Sequence, residues 1–366
     1  MRDSVLSLAQ MRDPRLEQYA RILIDTCIGV QPGWQVIVMA GAPARPLVDE
    51  VAGQLGARGA YALFRQNFTG IVPWMLEAPD ELLDTLAPIE AHALETADGL
   101  IAIDAPENTR ETSAIPPERF ARIQASLRPH IERVFTGDLK WVGCNYPTPA
   151  HAQDAGMSLR DYEDFLFGAC LLDWDAERER MSRYMERFDA AEEVRIVGAE
   201  TDVTLSLTGR SGKVDAGGAN MPGGEFYYSP VEDSAEGTIS FVEFPAPYLG
   251  REVAGIRLRF EGGKVVDASA DREEAFLLEL LDQDDGSRRL GELGIGCNPG
   301  ITRFMKNTLF DEKIDGTIHL ALGNGLPDVG GKNQSEIHWD IVKDLRPGGQ
   351  ILLDGEVVQQ DGAWRI

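Results

Sequence analysis

Arg195-Ile196-Val197-Gly198, followed closely by the run Val203 to Leu207, is where the chain changes character. Short apolar runs broken by glycine and charge continue beyond it: Thr238 to Phe244, Ile256 to Phe260, and Lys264 to Ala268. Alternation over so few residues is the pattern of antiparallel strands that lay one face on a core. Asp354-Gly355, between Ile351-Leu352-Leu353 and Val357-Val358, carries the two-residue turn of a hairpin, and Asp361-Gly362 marks a second turn. One helical pattern, Arg272 to Leu281, interrupts this half.

Upstream of Arg195 the texture is different. Pro14 opens a segment with apolar residues at helical spacing, Leu16 to Val30. Trp34 to Met39, Tyr61 to Phe64, Gly99 to Ile103 and Trp141 to Cys144 are compact apolar runs of strand length. Between them lie the amphipathic stretches Leu47 to Leu55, Leu82 to Leu94 and Pro117 to Phe135. Met157 to Phe188 reads as long, half-exposed helices rich in charge. Strands alternating with helices build a parallel sheet covered by helices. The expectation is an α/β N-terminal layered domain with a mostly parallel sheet over residues 1–190. An α+β C-terminal domain rich in antiparallel strands follows over 191–366.

The chain has 366 residues, enough for two cores. Its formal charge of −25 arises from 60 acidic and 35 basic residues. Such a field repels phosphate backbones and anionic lipid, which argues against nucleic acid and membrane surfaces as partners and suits neutral or cationic small substrates. No apolar run approaches the ~18 residues of a membrane span. Met1 to Gln10 lacks a basic stretch followed by an apolar one, so no leader is expected. Cys27, Cys144, Cys170 and Cys297 form no CxxC pair, and reduced, buried thiols in a cytoplasmic protein are the expectation. Gly41-Ala42-Pro43-Ala44 follows a strand but is neither GxGxxG nor a P-loop.

Two of the five histidines, His319 and His338, fall near the C-terminus. His338-Trp339-Asp340 on a strand points an imidazole and a carboxylate to one face, where they can share a cation. Taken alone, the triplet equally fits a surface His–Asp pair. His319 lies in the apolar run Thr317 to Gly323, where an unpartnered imidazole costs about 1–3 kcal/mol. Glu225 follows the glycine-rich bend Gly217 to Gly224, and Glu292 stands in Leu290-Gly291-Glu292-Leu293-Gly294-Ile295-Gly296. Each glutamate is either an exposed turn residue or a carboxylate buried for a purpose, with glycines that permit close backbone approach. Oxygen ligands mixed with imidazoles suit Zn2+, Co2+ or Mn2+, often as a pair that shares a carboxylate.

At these residues the chain resembles the M29 family of metallo-aminopeptidases, the aminopeptidase T group. The segments that carry the resemblance are Asn220 to Glu225, Glu292 to Asn298, Asn307 to Glu312, His319 to Gly323, and Gly331 to Asp340, in that order. A looser match surrounds Tyr146-Pro147-Thr148-Pro149. The resemblance implies two divalent ions per chain, held by Glu225, Glu292, His319, His338 and Asp340, with Glu312 as a sixth candidate. It implies cleavage of N-terminal residues from peptides, or of a small amide, by metal-activated water. Glu225 or Glu292 would move the proton. It also implies a homodimer. The sequence departs from the family pattern where Leu326 stands in place of a tyrosine, and in its spacing on both sides of His319. The alternative reading is a non-haem Fe2+ dioxygenase of the 2,5-dihydroxypyridine type. It would use His319, His338 and Asp340 as a two-histidine, one-carboxylate triad.

Overall fold

The computed structural model describes residues 13–67, 71–135 and 137–365. The stretch Met1 to Gln10, read above for a leader, lies outside the described residues. Contacts divide the chain into two compact units. One comprises residues 1–171 with Gly217–Met221, the other Leu172–Ala216 with Pro222–Ile366.

The first unit carries a wholly parallel five-stranded sheet. Its order is Tyr61–Asn67, Gln35–Gly41, Gly99–Asp104, Lys140–Asn145 and Asn220–Met221. Four of these strands match the apolar runs read from the sequence. The fifth is two residues long, too short for periodicity to register, and comes from far along the chain. Asp13 caps the helix Pro14–Arg21 by accepting the Arg15 N–H, and Pro14 fills the first helical position, where no N–H is needed. The pattern Leu82 to Leu94 resolves into two helices, Asp80–Leu83 and Pro88–Thr96. Pro88 holds Ala87 extended (φ −54°, ψ 132°), so one helix cannot run through.

The second unit holds two larger antiparallel sheets. One is eight-stranded, ordered Lys264–Ser269, Ile256–Glu261, Glu236–Phe241, Thr201–Ser206, Glu193–Gly198, Gln350–Leu353, Glu356–Gln360 and Ala363–Trp364. The Asp354-Gly355 turn has φ of 48° and 88°, the left-handed pair that a tight hairpin requires. The other sheet is five-stranded: His338–Asp344, Thr317–Gly323, Leu290–Gly296, Glu225–Tyr228 and Lys213–Asp215. Every residue of Leu290–Gly296 and Thr317–Gly323 is buried.

The contact division falls between Leu171 and Leu172, earlier than the expected boundary near residue 190. Helix Trp174–Asp189 sets it there, because its apolar end packs on the second unit's own sheet. Phe188 lies edge-on to Phe226 at 5.1 Å and stacks on Tyr228 at 6.0 Å. The Tyr228 hydroxyl donates to Asp189 Oδ1 at 2.8 Å. Cys144, Cys170 and Cys297 are buried as expected, whereas Cys27 is only half-buried. Among the described residues no helix is long and apolar enough to cross a membrane.

Phe188 is fully buried, so Phe188→Ala leaves a cavity behind the five-stranded sheet. The expected loss is about 3–5 kcal/mol, seen as a lower urea midpoint for the second unit's unfolding. An unchanged midpoint would remove this helix from the packing that fixes the sheet.

Candidate metal centre

The register of the five-stranded sheet decides which side chains meet. Gly296 pairs with Glu225, and Gly294 pairs with both Tyr227 and His319. Ala321 pairs with both Glu292 and Asp340, and Gly323 with His338. Paired residues share a face, so Glu225, Glu292, His319, His338 and Asp340 all project from the same side, over a floor of glycine and alanine. Gly294 is obligatory in that floor. A Cβ there would lie 1.9 Å from the His319 ring carbon Cε1, inside any contact distance.

Glu225 is placed by its own bend. Gly224 adopts φ +116°, and a Cβ on it would meet Asn298 Cβ at 2.6 Å. The Asn298 side-chain amide donates to Gly223 O at 2.8 Å, and Cys297 N–H donates to Gly224 O at 2.8 Å. The glycine-rich run and the Glu292 to Asn298 segment therefore interlock, which delivers Glu225 beside His319.

Glu292 stands at the middle. Its Oε1 lies 3.3 Å from His319 Nε2 and its Oε2 lies 3.1 Å from His338 Nε2. Glu225 Oε2 is 3.6 Å from His319 Nε2, and Asp340 Oδ1 is 3.6 Å from His338 Nε2. Two overlapping sets of potential ligand atoms result, Glu225 with Glu292 and His319, and Glu292 with His338 and Asp340. Within each set the atoms lie inside 4.8 Å of one another. Each imidazole is oriented from behind by a carbonyl, which can only accept. His319 Nδ1 donates to Glu312 O at 3.1 Å and His338 Nδ1 donates to Asn324 O at 2.8 Å. That fixes Nε2 as the atom facing the carboxylates, an arrangement common to metal-ligating histidines. Glu225 Oε2 and Asp340 Oδ1 are buried with no hydrogen-bond partner. Orphaned carboxylate oxygens beside imidazole Nε2 atoms fit a divalent cation.

The other expected residues fall differently. The Glu312 carboxylate joins neither ligand set and instead pairs with Lys313. Its backbone carbonyl is what serves the site, through His319. Leu326, at the position of the family tyrosine, is half-buried, and its N–H donates to Ser229 Oγ at 2.9 Å. Two neighbours had no sequence signal. Tyr227 shares the Glu225 face and donates its hydroxyl to Asp328 Oδ2 at 3.2 Å. Lys313 is completely buried, with Nζ 3.1 Å from Glu225 Oε1.

Burial pushes the Glu225 carboxyl up to about 8, against the pull of a Lys313 charge that is shared with Glu312. Burial acts on Glu292 in the same direction, but hydrogen bonds from His319 and His338 outweigh it and hold the group at about 2. For both imidazoles burial opposes the charged form, and Glu292 overrides it, raising His319 to about 10 and His338 to about 9. Asp340 is raised by burial to about 6 despite His338.

A buried sheet face that gathers carboxylates and oriented imidazoles in this way offers the donor chemistry that a metalloenzyme uses. Comparison with known proteins then specifies which kind. The profile of the thermophilic metalloprotease (M29) family matches residues 12–364, and the chain belongs to that family. It is 27% identical to Aminopeptidase 2 of Geobacillus stearothermophilus over 410 aligned positions, covering 96% of this chain and 98% of that protein. It is likewise 27% identical to Aminopeptidase T of Thermus thermophilus, covering 95% of each. The solved structure of wild-type AmpT from Thermus thermophilus superposes with a TM-score of 0.83 at 23% identity. That match spans 96% of this chain and 99% of the other, and establishes the same fold. The chain is thus a metal-dependent hydrolase, and the ring-opening dioxygenase reading with Fe2+ falls away.

Two outcomes test the geometry. Gly294→Ala displaces the His319 ring and should lower catalytic efficiency by about 100-fold in steady-state peptidase assays. A variant as active as the parent would show that His319 need not hold this position. The raised values also mean that both imidazoles carry protons at neutral pH and that a bound cation displaces them. Cation affinity should therefore climb as pH rises towards about 9–10, the values of the two imidazoles. Calorimetric heats of Zn2+ binding at pH 7 should change with the ionisation enthalpy of the buffer. Heats independent of buffer would contradict proton release.

Proposed function

We propose that the chain is an aminopeptidase whose centre takes two divalent ions. Glu225, Glu292 and His319 would hold one, and Glu292, His338 and Asp340 would hold the other. The observation that carries this reading is the sharing of Glu292, each of whose oxygens faces a different imidazole. Zn2+, Co2+ and Mn2+ suit such a mixed oxygen and nitrogen set. Bound there, the ions supply a water nucleophile at neutral pH and a Lewis acid for the scissile carbonyl.

The protein's own groups do the rest. Glu225 or Glu292 is the carboxylate that takes a proton from water and passes it to the leaving nitrogen. The carbonyls of Glu312 and Asn324 keep both imidazoles in one orientation. The chain's charge of −25 suits a cationic amino terminus. The relatives named above are aminopeptidases, which supports peptides over unrelated amides. The resemblance to that group also supports a homodimer, and the thiols support a cytoplasmic setting.

Exhaustive EDTA treatment should abolish release of the chromophore from an aminoacyl anilide, and added Co2+ or Zn2+ should restore it. Glu292→Gln should lower catalytic efficiency by at least about 100-fold and reduce bound metal measured by mass spectrometry. Cleavage that persists after complete metal removal would sink the proposal.

A further inference from the structure

Lys313 is a buried charge that the reaction outlined above does not use. It directly follows Glu312 and is fully buried. Its backbone is tied at both ends: the N–H donates to Phe310 O at 3.0 Å and the carbonyl accepts from Asn298 N–H at 2.9 Å. The ammonium is thereby held against Glu225 Oε1 and the Glu312 carboxylate. The other end of the centre differs. Among the described residues, neither Glu292 nor Asp340 forms an ion pair with a lysine or arginine.

We propose that Lys313 is a fixed internal cation that makes the two ion positions unequal. It occupies one oxygen of Glu225, withdraws Glu312 from metal coordination, and repels an ion bound by Glu225, Glu292 and His319. The ion at Glu292, His338 and Asp340 is then resident, and its neighbour is the weaker, exchangeable one. This rests on the reading of the two ligand sets as ion positions. The physical ground is that like charges interact strongly where water is excluded, and a completely buried ammonium cannot be screened by solvent. Lys313 acts through Glu225 and is a positioning residue.

The test is titration of the purified full-length chain with Co2+ alone, followed by calorimetry and by the visible absorption of the bound ion. The parent should fill in two separated steps. In Lys313→Met the weaker step should tighten by about tenfold or more while the stronger one stays nearly constant. Its absorption should also change as Glu225 gains a free oxygen. Should the single variant fail to fold, Lys313→Gln, which removes the charge but keeps a hydrogen-bond donor towards Glu225 and Glu312, gives the same reading. Two equal sites in the parent, or a weaker step that does not tighten in the folded variant, would overturn the inference. If the parent takes up no Co2+, or Glu292→Gln leaves both steps intact, the metal-centre reading fails and takes this one with it.

Discussion

Negative charge gathered out of water is the constraint around which the second unit is organised. Glu225, Glu292, Glu312 and Asp340 approach one another on or beside a sheet face that is almost entirely buried. Carboxylates so placed repel one another and lose hydration, so the arrangement stands only if positive charge lies among them. The protein supplies part of it. Two imidazoles bracket Glu292, and one lysine stands between Glu225 and Glu312. Two buried carboxylate oxygens remain without donors, which suits the face to the cations proposed for it.

The sheet is well suited to that task because antiparallel register is rigid. A slip of one residue would turn every ligand to the opposite face. The Phe188 cluster presses on Phe226 and Tyr228, neighbours of Glu225 and Tyr227 on the same strand, so packing behind the sheet and chemistry in front of it rely on the same pairing. Glycine at 294 is the space into which the His319 ring fits, whereas glycine at 296 makes room for the Ile314 carbonyl.

Much of this was legible in the residues themselves. Glu225 and Glu292 stood out because glycines frame them, and His319 because an imidazole in an apolar strand needs a partner. His338 and Asp340 stood out because a two-residue spacing on a strand shares a face. The roles of Lys313 and Glu312 were not legible. Whether adjacent residues point to the same place depends on a short irregular connection between Asp311 and Thr317, and no periodicity governs such a segment. The parallel and antiparallel halves were readable from run length and alternation. The unit boundary was not, because the helix Trp174–Asp189 looks the same in sequence whichever core its apolar stripe covers. The strand Asn220–Met221 was hidden for the opposite reason, being too brief to show a pattern.

That brief strand has a wider implication. Because Gly217–Met221 completes the parallel sheet although its flanks belong to the other unit, neither unit is a single uninterrupted length of polypeptide. Severing the chain after Leu171 would strip the Lys140–Asn145 strand of its outer neighbour and bare a row of hydrogen-bonding groups able to template aggregation. Independent production of either half therefore calls for a rearranged chain order, and during synthesis the first sheet cannot be finished until the ribosome has passed residue 221.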